Sequence, residues 1–114
     1  MTELVEVALF TDDVAAARAF YRDLVGADPI AEWAGAAIFS AGGAKILVHA
    51  RGAAMTNGPP DEDHVALSVA ALDDMCQSLQ ARGVEFLAGP RDYPWGRSAY
   101  LRDPDGRLVE LAQT

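Results

Sequence analysis

Tyr100-Leu101-Arg102-Asp103-Pro104-Asp105-Gly106-Arg107-Leu108-Val109-Glu110-Leu111-Ala112 is the stretch that decides the reading of this chain. It spells a β-hairpin. Asp103-Pro104-Asp105-Gly106 is turn chemistry, because proline pre-sets φ and Gly106 accepts a positive one. The arm after the turn is apolar, with Leu108, Val109 and Leu111, yet it carries one carboxylate, Glu110. A carboxylate in an apolar strand must be solvated, paired or bound to a metal, since burying it alone is too costly. Taken alone, Glu110 reads as an outward-facing residue on a half-exposed strand.

The bulk properties narrow the choices. At 114 residues the chain is one domain, 1–114, and with 51% hydrophobic and 23% charged residues it has the material for a core. A net charge of −8 argues against nucleic acid and anionic membrane surfaces as partners, and suits a small or cationic ligand. The single cysteine, Cys76, allows no intrachain disulfide and fits a reducing cytoplasm. No signal peptide and no membrane span is legible.

Outward from the hairpin, the rest of the chain falls into strands and two helices. Leu4–Phe10 alternates as a strand, with Glu6 as its lone carboxylate. Thr11-Asp12-Asp13 offers N-caps for a helix over Val14–Val25, closed by Gly26. Its expected inward stripe is Val14, Ala17, Phe20 or Tyr21, Leu24 and Val25. Short strands are predicted at Ile30–Trp33 and Ala36–Ser40, then a Gly42-Gly43 turn and a strand over Lys45–Arg51. On that strand Leu47 and His49 share one face. Gly52–Pro60 has no periodicity and reads as a linker, continued by Asp61-Glu62-Asp63 as a solvated acidic run. His64–Val69 is a further strand, Leu72–Arg82 a second helix with Leu72, Met75, Cys76 and Leu79 inward, and Val84–Leu87 a strand. Gly89–Gly96 reads as a loop.

The two halves repeat. Glu6-Val7-Ala8-Leu9 recurs as His64-Val65-Ala66-Leu67, and each is followed by a helix ending in glycine, Gly26 and Gly83. Matching Gly43 to Gly106 superposes Leu47 on Glu110. The expected fold class is therefore α+β: two βαβββ repeats, about 3–51 and about 64–113, joined by a linker over 52–63. They are expected to form a curved, eight-stranded mixed sheet with the helices on its convex face and an open concave one.

Four segments carry a family resemblance: Glu6-Val-Ala-Leu, Phe20-Tyr21-Arg22-Asp23-Leu24-Val25-Gly26, His64-Val-Ala-Leu-Ser-Val and Asp103-Pro-Asp-Gly-Arg-Leu-Val-Glu-Leu. Together they resemble the vicinal oxygen chelate superfamily, which includes glyoxalase I, extradiol dioxygenases, fosfomycin and bleomycin resistance proteins and methylmalonyl-CoA epimerase. The resemblance covers essentially the whole chain and is closest to glyoxalase-like proteins. It implies metal-ligand positions at Glu6, Leu47, His64 and Glu110. Leu47 cannot bind a metal, and Glu6 stands where the dioxygenases have a histidine.

The remaining set, Glu6, His64 and Glu110, is chemically sensible beside the resemblance. Two carboxylates and an imidazole suit Ni, Co, Mn, Fe or Zn as a divalent ion, and three ligands leave positions for two adjacent substrate oxygens. The expected activity is that of a metal-dependent lyase or isomerase of the glyoxalase type, stabilising an enediolate, with Glu110 or Glu6 moving the proton. The alternative is a non-catalytic, bleomycin-resistance-like protein that holds a drug or metabolite in a metal-free cleft. Substrate contacts would come from Trp33, Leu47, His49, Trp95 and Arg97. His49 also fits a substitute ligand or an exposed residue, and Arg97 also fits a solvated one. A homodimer is expected, as in glyoxalase I, with each cleft drawing Glu6 from one chain and His64 and Glu110 from the other. The short linker stiffened by Pro59-Pro60 favours that exchange.

Overall fold

In the computed structural model residues 2–52 and 59–114 are described, so residues 53–58 of the predicted linker lie outside the described residues. The chain divides into two units, Glu6–Asp63 and His64–Thr114 with the residues up to Val5. Each has the βαβββ order, and the fold is α+β with eight strands and two helices among the described residues. No helix among the described residues is long and apolar enough to cross a membrane.

The first unit contains β1 (Glu3–Thr11, from Glu6 onward), α1 (Val14–Val25), β2 (Ala31–Trp33), β3 (Ala36–Ala41) and β4 (Ala44–Ala50). β2 and β3 pair antiparallel, as do β3 and β4, and β4 pairs parallel with β1. α1 begins where Asp13 Oδ1 accepts the Ala16 N–H at 3.0 Å, and ends at Gly26, whose φ of 81° lets its N–H return to the Arg22 carbonyl. Ala17, Tyr21 and Val25, one helical turn apart, pack on Ala37, Phe39, Ile46 and Val48. The expected stripe is corrected here. Tyr21 is the inward ring, whereas Phe20 and Leu24 face solvent at 59% and 67% exposure, because they lie a residue ahead of the 17-21-25 row. The acidic run is also not merely solvated. Asp63 Oδ1 accepts the Phe10 N–H at 2.8 Å and Asp61 accepts the Gly52 N–H.

The second unit contains β5 (His64–Val69), α2 (Leu72–Ala81), β6 (Phe86–Tyr93), β7 (Gly96–Arg102) and β8 (Leu108–Gln113). β6–β7 and β7–β8 are antiparallel and β8 pairs parallel with β5. Leu72, Met75, Cys76 and Leu79 of α2 pack on Val69, Ala99, Leu101, Val109 and Leu111, as the spacing predicts. Burial pushes the Cys76 thiol up, which suits a small core hydrophobe rather than a nucleophile. α2 has no side-chain N-cap of its own; Gln113 Oε1 accepts the Leu72 N–H at 2.9 Å instead. The predicted Gly89–Gly96 loop is corrected. β6 runs through Gly89 and Pro90 to Tyr93, and only Pro94-Trp95 turns. Register shifts between Phe86 and Arg91 absorb the glycine and proline, which strands tolerate at such irregularities. The decisive hairpin forms as read. Asp103 Oδ1 accepts the Asp105 and Arg107 N–H groups at 2.9 and 2.8 Å, and Gly106 has φ 86°.

Candidate functional site

The site is a consequence of strand alternation in the second unit. In β8, Val109 and Leu111 face α2, so Glu110 faces the other way. Tyr100 of β7 and Ala66 of β5 are its direct neighbours across the two ladders. His64, two residues before Ala66, and Ser98, two before Tyr100, therefore share its face. The result is a polar group on one face of these strands, formed by His64, Ser98, Tyr100 and Glu110.

The side chains of all four are largely covered. Ser98 and Tyr100 are each 1% exposed, and the His64 and Glu110 side chains 6% and 9%. His64 Nε2 stands 3.3 Å from Glu110 Oε1. Ser98 Oγ donates to Glu110 Oε2 at 2.8 Å. The Tyr100 hydroxyl also donates to Glu110 and accepts from the Trp95 indole N–H. Burial pushes the Tyr100 phenol far above its ordinary range, and the neighbouring Glu110 charge adds to this. The rings interlock: Tyr100 meets His64 edge-on at 6.1 Å and Tyr93 edge-on at 5.8 Å, and Tyr93 stacks flat on Trp95 at 4.7 Å.

The first unit offers an internal comparison. Its register places Leu47 opposite Ala8 as Glu110 stands opposite Ala66, so the glycine-based superposition of Leu47 on Glu110 holds. By the same ladders Ala36 matches Ser98 and Ile38 matches Tyr100. Where Glu110 is replaced by leucine, both hydroxyl residues are replaced by apolar ones.

The other predicted residues are placed as follows. Glu6 opens the β1–β4 ladder opposite Lys45. His49 Nδ1 lies 2.8 Å from the Ala50 carbonyl, and its ring lies 5.3 Å from that of Phe10. Trp33 and Trp95 are about half exposed. Arg97 is engaged by two carboxylates, Asp73 at 2.9 Å and Asp92 at 3.2 Å. Ser98 and Tyr100 are the functional candidates that sequence reading passed over. With Tyr100 set opposite Glu110 across the hairpin, a period of two brings Ser98 to the same face.

The pair His64 and Glu110 suits a metal by its donor chemistry. Two ligand atoms about 2.1 Å from one ion stand about 3.0 Å apart at octahedral angles and about 3.4 Å at tetrahedral ones. The His64–Glu110 separation of 3.3 Å matches that range with one nitrogen and one oxygen. No group of three or more His, Cys, Asp or Glu side chains is gathered among the described residues.

Solved structures resemble the chain over nearly its full length. Methylmalonyl-CoA epimerase from Mycobacterium tuberculosis aligns with a TM-score of 0.76 and 23% identity, over 97% of this chain and 87% of that one. A variant of the Streptomyces coelicolor methylmalonyl-CoA epimerase in complex with 2-nitronate-propionyl-CoA gives 0.76 and 20%, over 100% and 95%. A glyoxalase/bleomycin resistance protein/dioxygenase superfamily member from Vibrio splendidus 12B01 gives 0.74 and 14%, over the whole of both chains. At these identities the likeness speaks for the fold. No curated protein sequence matches the chain. The model of the Glyoxalase/Bleomycin resistance protein/Dioxygenase superfamily matches residues 3–111, nearly the whole length, and the chain belongs to that superfamily.

Proposed function

We propose that the chain is a glyoxalase-like, metal-dependent enzyme of the lyase or isomerase type, acting on a small substrate with vicinal oxygens. The observation that carries this reading is the buried His64–Glu110 pair, an imidazole nitrogen and a carboxylate oxygen converging at 3.3 Å. Glu6 is the third ligand in this reading. A divalent ion held there would supply Lewis-acid stabilisation of an enediolate oxyanion. The chain's own residues do the rest. Glu110 takes a proton at Oε1 from the carbon next to a carbonyl and returns it to the same carbon or its neighbour. His64, braced edge-on against Tyr100, keeps its Nε2 beside that oxygen. Burial excludes water from the exchange. The likeness to a methylmalonyl-CoA epimerase suits an isomerase-type reaction on a small acyl substrate. The proposed working form is a cytoplasmic homodimer.

The test has two steps. Protein purified without chelators is measured for metal content and titrated with Mn²⁺, Co²⁺, Ni²⁺ and Zn²⁺. The Zn²⁺-loaded protein is then incubated in D₂O with α-hydroxy and α-oxo carbonyl compounds, and NMR follows α-proton exchange. Failure to bind any of the four ions at near-millimolar concentration refutes the metal reading. A second reading, a binding protein without chemistry, draws on the half-exposed Trp95 lying flat on Tyr93, a shelf for a planar ligand. It predicts saturable binding of a planar cation with no exchange.

A further inference from the structure

We propose that Ser98, with Tyr100 beside it, is a positioning residue for Glu110: Ser98 ties down Oε2, so that Oε1 is offered on the side of His64. The inference rests on the reading of Glu110 as ligand and proton carrier. A free carboxylate would use either oxygen, or both at once. Here one oxygen is occupied by the Ser98 hydroxyl at 2.8 Å, and the Tyr100 hydroxyl adds a second donor to the same group. Neither donor can swing away. Ser98 and Tyr100 sit on β7, paired on one side with β6 and on the other with β8, and both are 1% exposed. The phenol is held in turn by the Trp95 N–H and by the Tyr93 and His64 rings at its edge.

The internal repeat ties these hydroxyls to the carboxylate. At the matching places of the first unit, Ala36 and Ile38 fill the sheet face opposite Leu47 and its neighbours. Apolar residues thus fit this ladder position in the same architecture. The hydroxyls occur where the carboxylate occurs and are missing where it is missing. A buried hydroxyl needs a partner, so keeping both in the second unit makes sense only with Glu110 as their acceptor. Single-point attachment through Oε1 has a functional consequence. It leaves the opposite side of the site for a substrate's paired oxygens.

The experiment compares wild type with Ser98→Ala, Ser98→Cys, Tyr100→Phe and the Ser98→Ala/Tyr100→Phe double variant. Crystal structures of the metal-free proteins read the Glu110 orientation. Calorimetric titration with Co²⁺ and the visible spectrum of the Co²⁺ form read its ligation. The carboxylate is expected to turn, or to split between two orientations, in the double variant. Co²⁺ affinity is expected to fall about 10–100-fold, the usual effect of removing an outer hydrogen-bond partner. The visible bands should change as a second carboxylate oxygen becomes free to bind. Ser98→Cys fills the space with a weak donor and should behave like Ser98→Ala; wild-type behaviour there would mean packing, and would overturn the proposal. So would an unmoved carboxylate with unchanged Co²⁺ affinity in the double variant. Absence of Co²⁺ binding by wild type would instead overturn the metal reading, while the Glu110 orientation in the metal-free variants still decides the positioning role.

Discussion

Replacing Glu110 tests whether one carboxylate organises the whole polar group. Glu110→Ala removes the acceptor of Ser98 and Tyr100, each 1% exposed, and the neighbour of His64. Each orphaned buried hydroxyl costs about 1–3 kcal/mol, so the two together cost about 2–6 kcal/mol. Relief from burying a charge offsets part of this, and the small cavity adds to it. Glu110→Gln keeps a carbonyl oxygen to accept from Ser98, and its amide keeps the site hydrogen-bonding. It loses only the charge assistance, about 1–2 kcal/mol in total. Alanine should therefore be clearly worse than glutamine, against a domain stability of about 5–15 kcal/mol. Urea denaturation of the metal-free proteins in a chelating buffer, followed by tryptophan fluorescence, measures both. If Glu110→Ala unfolds at the wild-type midpoint, or if glutamine is as damaging as alanine, the hydroxyls do not depend on this carboxylate and the reasoning fails.

His64→Ala should abolish divalent-ion binding while keeping a wild-type far-UV circular dichroism spectrum, since the core against α2 does not include it; an unfolded variant would make His64 structural. The Tyr100 phenol has a raised folded pKa, so the stability it contributes is present below its unfolded value of about 10 and is lost as pH rises through the folded one. Ultraviolet titration should accordingly show a late-ionising tyrosine that Tyr100→Phe removes, and the wild type should lose more stability above pH about 10 than that variant. Asp103, held low chiefly by the Arg107 N–H, contributes stability above the usual carboxylate range that fades as pH falls through its lower folded value. Asp103→Asn should thus be destabilising at neutral pH and nearly neutral in acid, read as the pH dependence of the thermal midpoint. Mixing and refolding Glu6→Ala with His64→Ala should restore metal binding in part if sites are shared between chains; no recovery would refute the sharing.

Much of this chain was legible from its residues because the signals are local. The bounds of α1 follow from Asp13 and Gly26, and the inward row of α2 from the spacing of Leu72, Met75, Cys76 and Leu79. The last hairpin follows from Asp103-Pro104-Asp105-Gly106, whose side-chain and backbone bonds close within four residues. His64 and Glu110 stood out because a lone polar residue on an apolar strand needs a reason. Other features depended on partners distant in sequence. Whether Leu24 faced in or out was decided by which row of α1 met Phe39 and Val48. Gly89-Pro90 looked like a loop because local propensity counts glycine and proline as breakers, yet pairing with β7 carried the strand through them. Asp61 and Asp63 looked like solvated charge until Gly52 and Phe10 came within reach of them. Above all, Ser98 and Tyr100 are unremarkable in sequence. A hydroxyl has no fixed role until the ladder sets it opposite an acceptor, and here the register of β7 on β8 brings both to the carboxylate of Glu110.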